Sequence, residues 1–206
     1  MEENRALIII DVQNDFCPGG SLAVPGGDEI IGTINKLSGK FERIIATQDW
    51  HPHNHISFAF NHAGKKDFDV IDYEGIKQVL WPRHCVSGTK GAEFHPSLDI
   101  KNVNLIIRKG GNPWIDSYSA FRENDKKTIT GLQGYLKSLE IKENYLCGLA
   151  LDYCVFYSAM DSRELGFETS VIIDATKGID SPIGSIDKTL EEMRKKGIKI
   201  INSDKL

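Results

Sequence analysis

Ala6-Leu7-Ile8-Ile9-Ile10-Asp11-Val12 is a run of apolar residues that ends on a carboxylate. An unbroken apolar run of this length, without alternation, suits a strand buried on both faces, as in a parallel sheet. β-Branched runs recur at Arg43–Thr47, Asn104–Arg108, Asn144–Leu149, Thr169–Asp174 and Ile198–Ile201, so about six strands are expected. Between them the apolar spacing turns helical. Asp28–Leu37 puts Ile30, Ile31, Ile34 and Leu37 on one face, and Gly131–Leu139, Cys154–Leu165 and Ile183–Lys196 follow, the last behind a Ser181-Pro182 start signal. Strands alternating with helices specify an α/β fold, a doubly wound parallel sheet with helices on both faces. No repeat, low-complexity tract or Pro/Gly/Ser-rich linker divides the chain, so residues 1–206 are read as one domain.

One stretch departs from this regularity. Asp49 to Asp99 shows no clear element, and a connection far beyond the usual length of about 4 to 6 residues points to function. It also holds all six histidines, at positions 51, 53, 55, 62, 84 and 95. Such clustering marks the stretch for metal or proton chemistry.

Composition narrows the classes. Lys and Arg number 25 against 29 Asp and Glu, a net charge of −4, and 40% of residues are hydrophobic. These values exclude disordered and fibrous classes, and the lack of a basic block argues against nucleic acid or an anionic membrane as partner. A small neutral ligand is expected, and a homo-oligomer is left open because no face is obviously sticky. The acidic start, Met-Glu-Glu, and the short apolar run after it fit neither a signal peptide nor a spanning helix, so a cytoplasmic protein is expected. Cys17, Cys85, Cys147 and Cys154 form no CxxC pair and are read as thiols.

Ligands of an open parallel sheet bind beyond the carboxyl ends of its strands. There the sequence puts Asp11 after the first strand, Asp49-Trp50-His51 after the second, Arg108-Lys109-Gly110 after the third, and Gly148-Leu149-Ala150 before Cys154. Cys154 is expected in the first turn of a helix, where free N–H groups and the dipole favour a thiolate; the alternative is a small buried hydrophobe with Asp152 as cap. Asp11 is a carboxylate that is costly to bury unless paired or used, and it can take a thiol proton and deliver it to leaving ammonia. Lys109 would hold Asp11 ionised and favour the thiolate. The alternative is a plain ion pair at the sheet edge.

Asp49 and His51, with His84 from the Trp81-Pro82-Arg83-His84-Cys85 turn, offer a mixed donor set for a divalent metal such as zinc, iron or manganese. His55 is a fourth ligand or a supporting hydrogen bond, and His53, His62 and His95 are read as loop residues. Phe16, Trp81, Tyr118 and Tyr153 come from segments beside these groups and could wall a slot for a flat ring.

Taken together, the blocks Asp11–Phe16, Gln48–Pro52 with His55–Phe58, Trp81–Thr89, Lys109-Gly110 with Asp116–Phe121, and Gly148–Ala150 through Cys154-Val155 resemble the nicotinamidases (pyrazinamidases) of the isochorismatase-like cysteine hydrolase superfamily. The resemblance runs from about Leu7 to Thr176. It implies a catalytic triad of Asp11, Lys109 and Cys154, and one divalent ion, zinc by first expectation, on Asp49, His51 and His84. It also implies substrate stacking by Phe16, Trp81 and Tyr118, and an oxyanion hole from the N–H groups of Ala150 and Cys154 behind a cis peptide. The implied reaction is hydrolysis of nicotinamide, and of pyrazinamide, through a thioester on Cys154, within NAD salvage. The alternatives are an isochorismatase, an N-carbamoyl amide hydrolase, and an inactive pyridine-binding protein. Leu151 is a departure, because the family commonly has a small or hydroxylated residue there, and it bears on substrate preference.

Overall fold

The computed structural model describes residues 4–206. Its main sheet has six parallel strands: β1 (Arg5–Ile10), β2 (Ile44–Asp49), β5 (Leu105–Lys109), β6 (Glu143–Leu149), β7 (Glu168–Lys177) and β8 (Lys199–Ile201). Their spatial order is β5-β2-β1-β6-β7-β8. The helices are α1 (Ile31–Ser38), α2 (Leu132–Ser138), α3 (Phe156–Glu164) and α4 (Ser185–Lys195).

Alternation along β1 shows how the two faces are covered. Leu7 and Ile9 join the core beneath Ile31, Ile34 and Leu37 of α1. Ala6, Ile8 and Ile10 point the other way, into a core with Leu132 and Leu136 of α2, Ala159 of α3 and Met193 of α4. A strand with both faces buried has no polar face, which is why its sequence is an unbroken apolar run.

The chain leaves β1 towards β2 and β5, returns to β6 on the other side of β1, and continues to β7 and β8. The order therefore reverses between β1 and β6, and the loops beyond that pair diverge and leave a crevice. Asp11 follows β1 and Cys154 follows β6, so the topology delivers both to the crevice. The register pairs Asp49 with Lys109 at the ends of β2 and β5, and Ile10 with Gly148.

Several boundaries differ from the sequence reading. β1 stops at Ile10 rather than Val12, and Asp11 turns the chain with a φ of +48°. α1 begins at Ile31 rather than Asp28, after a series of tight turns. Cys154 lies two residues ahead of α3, in a π-turn over Leu151–Val155 closed by the Val155 N–H donating to the Ala150 carbonyl at 3.1 Å. The span from Asp49 to Asp99 holds an antiparallel hairpin, β3 (Val70–Tyr73) and β4 (Ile76–Val79). Its connecting residues Glu74 and Gly75 both have positive φ, 51° and 83°, the hallmark of a type I′ turn. Among the described residues no helix is long and apolar enough to cross a membrane.

Candidate active site

The Lys109 ammonium is the hub of the crevice. It lies 2.8 Å from Asp11 Oδ2, and it also pairs with Asp49 Oδ1. From the same Nζ, hydrogen bonds run to the Ser117 carbonyl at 2.9 Å and to Cys154 Sγ at 3.4 Å. All four charged or nucleophilic groups are buried. Asp11 is further fixed by Thr47, whose hydroxyl donates to Oδ1 at 2.6 Å.

Burial and charge set the protonation of this cluster. Burial alone would lower Lys109, but the Asp11 and Asp49 carboxylates outweigh it and hold the ammonium well above its ordinary value. Asp49 would be raised by burial, yet Lys109 and then His51 pull it well below the carboxylate range. Asp11 goes the other way: burial raises it above 3.8 against the opposing pull of Lys109. Burial also drives the Cys154 thiol well above its usual value, and Lys109 offsets this only in part. Burial thus opposes the thiolate that Lys109 favours, and it raises the affinity of both the Cys154 thiol and the Asp11 carboxylate for protons.

The metal-donor candidates meet on the other side of Asp49. His51 Nε2 is 3.5 Å and His84 Nε2 is 3.7 Å from Asp49 Oδ2. Donor atoms of Asp49, His51 and His84 all lie within 4.8 Å of one another. Each imidazole is oriented from behind, His51 Nδ1 bonding the Gly110 carbonyl at 2.8 Å and His84 Nδ1 bonding the Pro82 carbonyl at 2.8 Å. With Nδ1–H donating to a carbonyl, the Nε2 lone pair is presented inward, the arrangement that suits metal ligation. Buried His51 Nε2 has no hydrogen-bond partner, an orphan that a cation would satisfy. The donor set fits a divalent ion. Gly110 makes room for the His51 ring: at φ +67° a Cβ there would collide with His51 Cε1 and Nδ1.

His55 stands behind this set. Its ring packs against His51 at 4.2 Å, its Nδ1 shares a 2.7 Å hydrogen bond with the Ser57 hydroxyl, and burial, followed by His51, lowers it to about 4. Asp116, not singled out from the sequence as a site residue, lies 4.0 Å from His51 Nε2 and is held by the Gln78 amide at 3.0 Å. His53 is exposed, and His62 and His95 are partly so.

The aromatic residues divide. Trp81, Tyr118 and Tyr153 form one cluster, Trp81 Nε1 donating to the Tyr118 hydroxyl at 3.1 Å and its ring lying 4.9 Å from that of Tyr153. Phe16 packs instead on His84, at 5.5 Å. Tyr118 also borders a cavity of about 130 Å³ shared with Ile76, Lys77, Asn124, Lys126 and Tyr157. Ala150 and Cys154 share the turn before α3, and the Leu149–Ala150 peptide is cis. Leu151 is buried in the core with Ala159 and Met193. Asp152 does not cap α3. Its carboxylate accepts from the Ile179 and Asp180 amides, both at 2.9 Å, and from the Ser185 hydroxyl at 2.6 Å.

An acid, a thiol and an ammonium beside an Asp/His/His donor set at a parallel-sheet switch point agree with the family match: residues 5–205 fit the isochorismatase domain. The chain belongs to the isochorismatase family. Within the family it is similar to the nicotinamidase of Acinetobacter baylyi, 54% identical over 97% of this chain and 93% of that protein. It is also similar to the solved Acinetobacter baumanii nicotinamidase/pyrazinamidase, with a TM-score of 0.97 at 52% identity over 100% of this chain and 99% of the other. A Pyrococcus horikoshii pyrazinamidase, solved in complex with zinc, superposes with a TM-score of 0.79 at 40% identity over 97% of this chain and 99% of that one.

Proposed function

We infer that the chain is a nicotinamidase, hydrolysing nicotinamide to nicotinate and ammonia, with pyrazinamide as a second substrate. The observation that carries this is the Lys109 ammonium, shared by Asp11, the Cys154 thiol and the metal-donor carboxylate Asp49, which makes the thiol and the donor set one site. Asp49, His51 and His84 would hold a divalent ion, for which zinc is the first choice because the Pyrococcus relative was solved with it. When bound, the cation supplies a Lewis-acidic contact for a ring nitrogen.

The chain's own residues do the rest. Phe16, Trp81 and Tyr118 pack on the aromatic ring and orient it, leaving its carboxamide over Cys154. Cys154 Sγ forms a bond to the carboxamide carbon while its proton passes to Asp11. The N–H groups of Ala150 and Cys154 stabilise the oxygen as it gains charge. Asp11 returns the proton to the nitrogen, the C–N bond breaks, ammonia leaves, and a thioester remains. Water then adds to the thioester, losing a proton to Asp11, and the C–S bond breaks to release nicotinate and restore the thiol. Lys109 stays charged throughout and stabilises Asp11 while it is ionised.

This reading takes residues 1–206 as one domain and the enzyme as cytoplasmic, acting in NAD salvage. Cys154→Ala tests it. Ammonia release from nicotinamide should fall by at least ~10⁴-fold, and release within tenfold of wild type would exclude the thioester route.

A further inference from the structure

The three donor residues lie on segments of different kinds, and Asp49 has an unusual problem. β1 pairs with β2 only as far as Ile9 opposite Ala46 and then turns away at Asp11. The β1-facing main-chain groups of Asp49, at the end of β2, therefore have no strand partner, although the position is buried. A buried amide and carbonyl must be paired by something. Gln13 supplies both partners: its Oε1 accepts from the Asp49 N–H at 2.8 Å, and its Nε2 donates to the Asp49 carbonyl at 2.8 Å. The same Nε2 donates to the Ala92 carbonyl at 2.9 Å, where Gln48 Nε2 also donates at 2.9 Å. Gln13 is fully buried, so its amide is committed to this clamp.

Asp15, two residues on, does a similar thing for the third donor. Its Oδ2 accepts the Cys85 N–H at 2.7 Å, and the Cys85 carbonyl accepts the His51 N–H at 3.0 Å, so both main-chain groups of the residue after His84 are held. Gly91 closes against Asp15, where a Cβ would come within 2.1 Å of Oδ2.

We propose that Gln13 is a positioning residue for the metal centre, fixing the main chain of Asp49 so that its carboxylate is shared correctly between Lys109 and the cation. This rests on the reading of Asp49, His51 and His84 as metal donors. Gln13 touches neither substrate nor cation and acts only through Asp49.

The test is Co²⁺ titration of the chelated full-length protein, read as a dissociation constant by chelator competition and as the visible absorption of the bound ion. Gln13→Met keeps the length and removes both halves of the clamp; Gln13→Glu keeps the acceptor but sets a carboxylate oxygen against two carbonyls. Either substitution should weaken Co²⁺ by about 10- to 100-fold and alter the spectrum, the range typical of groups that orient metal ligands. Asn144→Leu is the control, because it removes an equally buried hydrogen bond, Asn144 Nδ2 to Ser162 Oγ at 3.0 Å, in a different part of the fold. It should lower the melting temperature and leave Co²⁺ affinity within twofold of wild type. Soluble Gln13→Met or Gln13→Glu protein with wild-type affinity and spectrum overturns the proposal while the metal reading stands. Equal weakening in Asn144→Leu also overturns it, since the effect would then be global destabilisation. Wild-type protein that binds no Co²⁺ overturns the metal reading and this proposal together.

Discussion

The two halves of the crevice are built in opposite ways. The thiol half takes Asp11 from just beyond β1, Lys109 from the last position of β5 and Cys154 from the turn that follows β6. The donor half takes Asp49 from a strand end but His51 and His84 from loops, each ring oriented by a main-chain carbonyl. Their electrostatics are also opposed: burial raises the Cys154 thiol and Asp11, while Lys109 and His51 pull Asp49 down. One half is biased towards holding protons and the other towards an anion that can hold a cation. Lys109 joins them, and substitutions that separate the halves are the most informative.

Lys109→Met should have the largest effect. It removes the charge that both carboxylates share, and turnover should fall by at least ~10³-fold. Divalent-ion affinity should be retained or tightened, because Asp49 loses a competing cation. Breaking a buried pair also leaves Asp11 uncompensated, at a cost of about 3 to 5 kcal/mol that thermal melting would register. A variant that loses metal as completely as turnover would show that the halves are not separable in this way.

His84→Ala probes the reverse separation. Metal affinity should drop by at least about 100-fold, the upper end of what losing a ligand-orienting group costs, while the alkylation rate of Cys154 in the metal-free protein, followed by peptide mass spectrometry, should stay within about twofold of wild type. A large change in thiol reactivity would mean that the donor loops also shape the nucleophile.

The smallest effect is expected from Thr47→Val. The Thr47 hydroxyl bond lowers Asp11 against a net upward shift, so its loss should raise Asp11 further. Asp11 must be ionised to accept the thiol proton, so kcat/KM is lost as pH falls through its folded value, which lies above 3.8. The acid limb of the kcat/KM profile should move to higher pH in the variant, with the plateau little changed. A limb that stays in place or moves to lower pH would assign it to another group.

Much of this was legible in the sequence because apolar runs and the residues that end them are local signals. Ala6–Ile10 reads as a doubly buried strand, and Asp11 is conspicuous as a carboxylate at its end; the same holds for Lys109. Sheet order, and with it the reversal between β1 and β6, is a property of the whole chain, and the local pattern does not carry it. The β3–β4 hairpin was missed because its strands are four residues each and its turn is Glu74-Gly75 rather than the usual Asn-Gly. The upward shift of the Cys154 thiol was also out of reach, since it follows from burial, and helix position alone argues for the opposite. Gln13 stood inside a matching block without a role, because its clamp exists only where β1 turns away while β2 continues. That mismatch becomes visible only in the paired structure.

The account makes the thiol half and the donor half one catalytic unit. Ammonia release from nicotinamide, measured on the purified protein, then after chelation, then with increasing Zn²⁺, Fe²⁺ or Mn²⁺, tests this most directly. The expected result is loss of activity on chelation and recovery that saturates at one ion per chain. Full turnover by protein verified to be metal-free would contradict it.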